Sequence, residues 1–209
     1  MKMNRDITIR TKRIKLRKMI LVADFFMLLL FTQVTFASVL PEYQLSLTRA
    51  YNLTLSNETL NTLTLGDFYL EEPKGFTFDL NDDGFKDYFI IPSTDFCGTG
   101  GCPYTIINGK TNLRIGEIFG SPVFIFNQKV NDFDVLHTYS HSSAQSGSYS
   151  CFVYDSTEYI LVSSVYLEGN SVDELFEKYK GVSMYDEKTA KRMNQEKVQT
   201  DNIVNKINR

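Results

Sequence analysis

From Phe76 to about Leu167 the chain passes through short stretches rich in Tyr, Phe, Ile and Val, separated by turn residues. Such side chains suit a pleated, half-buried surface, so these stretches predict strands. "YTIINGKTNLRI" is the clearest hairpin pattern, because Asn108-Gly109 offers the positive φ angles of a tight type I′ turn. Further strand candidates are "DYFIIP", "EIFGSPVFIF", "FDVLHTY", "SYSCFVY" and "YILVSSVYL". They follow one another closely, with no long helical pattern between them. The expectation is a mainly β fold, an antiparallel meander or sandwich.

The flanks read differently. Between Pro41 and Tyr69, Leu recurs at two-residue and longer spacings that suit strand and helix equally. After Gly169, "NSVDELFEKYKG" carries an Asn/Ser start, acids in the first turn, Lys178 near the end and Gly181 beyond it, which predicts a helix. The last stretch is polar, with sparse apolar positions at Met193, Val198, Ile203, Val204 and Ile207, and reads as a loosely packed helical or flexible tail over 182–209. The β-rich domain is thus expected over 38–181, with a C-terminal helical extension.

The first 37 residues change the charge picture. Eight Lys/Arg precede an apolar run from Met19 to Ala37 that closes on Thr35-Phe36-Ala37, the layout of a cleavable signal peptide. An uncleaved membrane anchor is the competing reading, since the run is about long enough to span a bilayer. No Cys follows the run, which argues against a lipoprotein anchor. The chain carries 22 basic and 25 acidic residues; 8 and 2 of these lie in residues 1–37, which leaves 14 and 23, a net charge of about −9. An acidic product of this kind is a poor nucleic-acid binder. A periplasmic or secreted bacterial protein is expected, touching the membrane only through the N-terminal segment if that segment is retained.

The densest chemistry lies in "FDLNDDGFKDYFIIPSTDFCGTGGCPY". Asp79, Asn81, Asp83 and Asp87 stand at positions 1, 3, 5 and 9 of a loop with Gly84 at position 6, which lets the Phe85 carbonyl join them. Calcium takes several hard oxygen ligands, and alternating positions of a tight loop converge on one point. An EF-hand would place Glu at position 12, where this chain has Ile90, and a predicted strand follows in place of a helix. The loop followed by "YFII" therefore resembles the calcium loops of the FG-GAP and VCBS type, set between two strands. With "CGTGGCPYTII" it also looks like a group of exported bacterial β proteins bearing a Cys-Gly-x-Gly-Gly-Cys segment. The resemblance implies a β fold and an envelope location, and no activity. A dry Asx-rich turn is the alternative for the same residues.

Of the three cysteines, Cys97 and Cys102 enclose Gly98-Thr99-Gly100-Gly101, glycines that let so short a loop close, so an exported chain is expected to pair them. A zinc site drawing on Cys97, Cys102, Cys151 and His137 or His141 is the rival arrangement. Cys151 reads as a small buried hydrophobe. His137 and His141 flank a Ser-rich loop, yet no nucleophile elbow, phosphate loop or zincin pattern accompanies them. The expectation is a non-enzymatic binding protein with another protein as partner, an inhibitor or immunity-type protein among the options. A hydrolase using the two histidines and the acidic loop, or an anchored structural component of the envelope, is the alternative.

Overall fold

The structure, a computed structural model, describes residues 39–63 and 73–207; the expected signal segment and residues 64–72 lie outside them. The strands are β1 (Tyr43–Leu45), β2 (Tyr51–Asn52), β3 (Lys74–Phe78), β4 (Asp87–Ile91), β5 (Cys102–Ile107), β6 (Arg114–Gly120), β7 (Val123–Val130), β8 (Phe133–Ser143), β9 (Ser146–Tyr154), β10 (Tyr159–Glu168) and β11 (Ser183–Tyr185). The helices are α1 (Asn57–Leu63), α2 (Asn170–Tyr179) and α3 (Glu187–Ile207). Among the described residues no helix is long and apolar enough to cross a membrane.

The strands form one mixed, curled sheet in the order β11-β1-β7-β8-β9-β10-β6-β5-β4-β3-β2. β3 to β6 make one antiparallel meander and β7 to β10 a second. A single parallel pair, Tyr159 with Gly116, joins them. The mainly β expectation holds, with a C-terminal helix as expected.

Alternation along the strands divides the apolar side chains between layers. Phe76, Phe78, Phe89 and Ile106 from the first meander close with Val123, Ile125, Leu136 and Tyr159 from the second on one core. Each such burial is worth about 1.5–3 kcal/mol. The opposite face of β7 and β8, with Phe124, Phe126, Val135 and Tyr139, is covered by Val172, Leu175 and Tyr179 of α2. On β4 and β5, Ile90 and Ile107 pack under Leu53 and Leu55. This accounts for much of the undecided Pro41–Tyr69 stretch: it supplies two short strands and a helix that cover outer surfaces.

Two local expectations are corrected. Asn108-Gly109 does not form a two-residue turn: the strands stop at Ile107 and restart at Arg114. The Asn108 side chain instead caps the loop, its Oδ1 accepting from the Lys110 and Thr111 backbone N–H groups and the Thr111 hydroxyl, and Asn112 takes the positive φ of 54°. "EIFGSPVFIF" is two strands broken at Gly120-Ser121-Pro122. There the chain passes against β8, and a Cβ on Gly120 would lie 2.7 Å from the Tyr139 carbonyl oxygen. Ser121 N–H donates to that same carbonyl, and Tyr139 N–H to the carbonyl of Pro122.

Residues 182–209 begin with β11, whose Tyr185 is fully buried against Tyr43 and Phe78. Asp186 then caps α3 through the Thr189 N–H and hydroxyl. Ala190 and Met193 seat the first turns of α3 on the main core.

Candidate functional site

The acidic loop links β3 to β4 and turns back on itself. Asp79 accepts the backbone N–H groups of Asp83 (3.1 Å) and Gly84 (2.9 Å), and Asp83 accepts that of Phe85 (2.8 Å). Asn81 Oδ1 also takes the Asp83 N–H. The tight path needs positive φ at Asp82 (56°) and Gly84 (92°), where glycine is the residue least strained. Three lysines then face the loop's carboxylates. Lys197 of α3 sits 3.2 Å from Asp79, Lys110 lies 3.8 Å from Asp83, and Lys129 of β7 is 3.0 Å from both Asp82 and Asp134. Phe85 is exposed beneath the Lys110 ammonium.

Asp87 is separated from these residues by its bonding. It is 1% exposed, and its two oxygens accept from Leu80 N–H, Asn108 Nδ2 and Gly109 N–H, each at 3.0 Å. It ties the acidic loop to the β5–β6 loop, and Gly109 packs so closely on the Lys86 carbonyl that a Cβ would fall 1.9 Å away. Burial pushes the Asp87 carboxyl up to about 7, against the lowering effect of the Gly109 and Leu80 N–H groups. Asp134 is likewise pushed up to about 6 by burial, with Lys129 working the other way. The Leu80 carbonyl accepts both the Asp134 N–H and Lys129 Nζ, so one buried leucine links the two acids. The loop thus brings Asp79, Asn81 and Asp83 together with the Phe85 backbone, while Asp87 faces inward. Among the described residues, no group of three or more His, Cys, Asp or Glu is disposed to hold a metal ion.

The Cys97–Cys102 bond is present, and the Gly98 and Gly101 backbones bond to each other inside it. That pairing removes both sulfurs from the rival zinc set. His137 is a packed histidine: Nδ1 is 2.7 Å from the Tyr149 hydroxyl, which meets the Tyr179 hydroxyl at 3.0 Å, and its ring lies on Phe126. Burial, helped by Lys178, lowers its pKa to about 4, so it is neutral over the physiological range. His141 stacks on Phe176 and meets Tyr139 edge-on. Cys151, on β9 opposite His137, has its thiol pKa raised by burial, the reverse of an activated nucleophile.

No protein-family model, curated protein or solved structure matches the chain.

One open surface adjoins the acidic loop. A cleft of about 620 Å³ lies between the acidic loop, β1, β7 and α3, lined by Tyr43, Asp79, Asp82, Lys86, Asp134 and Lys197 among others. Its charges are mixed and matched, and among the described residues its lining offers no Ser, Cys or His. The second surface is β10. Among the described residues its outer edge has no strand partner beyond Tyr159, and Ile160, Leu161, Val162, Val165 and Tyr166 are 38–55% exposed. Sequence reading recognised the strand and missed this property. The available signal was "YILV", four consecutive apolar residues where a half-buried strand would alternate. The three lysines were missed because nothing local marks them; Lys197 is 118 residues from Asp79.

Proposed function

We propose that this chain is a non-enzymatic, exported binding protein that engages another protein chain along β10. The observation that carries the reading is the exposed apolar edge from Ile160 to Tyr166, with five large apolar side chains open on one strand. An edge strand presents unpaired N–H and C=O groups, and a partner strand added there gains main-chain hydrogen bonds as well as apolar contact. Edges are commonly blunted by charge, proline or a bulge; Tyr159 to Leu167 has no charge and no proline, and carries a register shift at Leu161/Ser163. The packed state of His137 and His141 and the raised Cys151 thiol give no support to a histidine-dependent hydrolase.

The acidic loop serves as a brace in this reading. Asp79, Asn81, Asp83 and the Phe85 carbonyl are hard oxygen donors suited to calcium, and Lys197 and Lys110 are the cations that an ion would displace. An inhibitor or immunity-type role in the periplasm or outside the cell fits a small acidic protein with one adhesive strand.

The test is capture from the envelope fraction of the producing cells, with wild type and Val165→Lys immobilised in parallel. Partner chains held by wild type and lost on the variant support the reading. Equal retention by both proteins, or none by either, refutes it.

A further inference from the structure

We propose that the chain that fits the β10 edge is a second copy of this protein, joined edge to edge in an antiparallel, twofold-symmetric dimer. The inference rests on the reading of β10 as a binding edge, and three observations select the occupant.

The first is self-complementarity. Around Ser163-Ser164 the strand reads Ile160-Leu161-Val162 on one side and Val165-Tyr166-Leu167 on the other. A twofold axis near the two serines sets Leu161 and Val162 of one copy beside Val165 and Tyr166 of the other. Aliphatic and aromatic side chains then meet across the junction, and cross-strand apolar pairs of this kind stabilise sheets. A register shift at Leu161/Ser163 twists the strand locally without adding a charge or a proline.

The second is charge. A chain of net charge −3, and about −9 once residues 1–37 are set aside, repels its own copies over most of its surface. From Tyr159 to Leu167 there is no charged residue, and Glu158 and Glu168 bracket the run. β10 is therefore a stretch where two copies approach without setting like charges face to face, and sliding far along the strand brings those glutamates into the junction.

The third is closure. A head-to-tail arrangement needs a second long free edge to receive β10. The terminal strands of the sheet are β11, three residues long, and β2, two residues long. Neither matches the ten residues of β10. Among the described residues the β6 edge that meets β10 at Gly116 is seven residues long and its Gly120 end packs on Thr138 and Tyr139, so another β10 is the full-length match and the contact is isologous, stopping at two copies.

Sedimentation velocity of the protein as recovered from its producing cells, over a range up to about 100 μM, reads the association directly. Val165→Lys serves as the comparison, with its thermal midpoint and circular dichroism recorded to show that the fold is kept. The side chain is more than half exposed, so lysine there leaves the core untouched. The expected result is a concentration-dependent dimer for wild type and at least about tenfold weaker association for the variant, because the twofold brings two ammonium groups into an apolar junction. A wild type that stays monomeric throughout, or a dimer indifferent to Val165→Lys, overturns the proposal. A monomeric wild type that still captures an envelope protein through Val165 overturns the self-pairing alone. A monomer that captures nothing overturns both readings.

Discussion

Replacing Asp87 with Ala probes the junction that holds the acidic loop to the β5–β6 loop. The lost carboxylate takes three N–H groups at 3.0 Å, two of them in buried bonds. A buried donor left without a partner costs about 1–3 kcal/mol, and Gly109 N–H regains water more easily, so the variant loses about 2–5 kcal/mol. The pH dependence is the sharper readout. The native carboxyl titrates at about 7, whereas an unfolded aspartate titrates near 4. Native protein therefore holds a proton that the unfolded chain has released. The stability tied to this group is complete below about pH 4 and is lost as pH rises towards 7, a span of at most about 4 kcal/mol. Asp134, pushed up to about 6, acts in the same sense, and His137 acts in the opposite one, so the wild-type profile alone is ambiguous. Urea unfolding of wild type and Asp87→Ala between about pH 4.5 and 8 isolates the one group by difference. The advantage of wild type should be greatest at the acid end and shrink by several kcal/mol towards pH 8. A constant or widening difference refutes the assignment and means that the three N–H donors, and not burial, govern the carboxyl.

Other outcomes follow from the same geometry. The native His137 pKa lies near 4, below its unfolded value, so acidification through that interval costs stability; His137→Phe should lose less between about pH 7 and 4.5, and an unchanged acid limb contradicts this. Reducing the Cys97–Cys102 bond releases a loop of sequence separation 5 and should lower stability by only about 2 kcal/mol, read as a urea midpoint shift with the slope unchanged. If calcium braces the loop, a concentration about a hundredfold above Kd adds about 2.7 kcal/mol, Asp83→Ala abolishes the gain, and Lys197→Ala enlarges it by removing a competing cation. Identical melting curves in calcium and in chelator remove the ion from the account.

How much of this was legible depended on whether the signal was local. The strands β4, β8, β9 and β10 were readable because aromatic and β-branched residues mark a pleated surface. α2 was readable from its Asp173 and Lys178 punctuation. β11 was hidden: Ser183-Met184-Tyr185 is too short to carry a period, and it becomes a strand only because β1 lies beside it. Asn108-Gly109 misled because an asparagine side chain can cap a loop as readily as its backbone can turn. The loop's oxygen donors were visible in the sequence, but their lysine partners arrive from β7, α3 and the β5–β6 loop, which only tertiary structure brings together. The role of Asp87 was obscured for the same reason, since its spacing suits a ligand while its neighbours make it a structural clasp.

The pairing of β1 with β11 also governs the order of events in the life of the chain. Tyr43 meets Ser183 in a parallel ladder, Gln44 bonds the Val182 carbonyl across 138 positions, and the Tyr185 hydroxyl reaches the Thr77 carbonyl. Any machinery that delivers the polypeptide from its N-terminus, a ribosome or a translocation channel alike, holds the first strand long before its neighbour emerges. Until then one side of β1 is open and the Tyr43–Phe78 pocket lacks its third ring. Closure of this ladder thus waits for the C-terminal residues, a long-range pairing made late in the delivery of the chain.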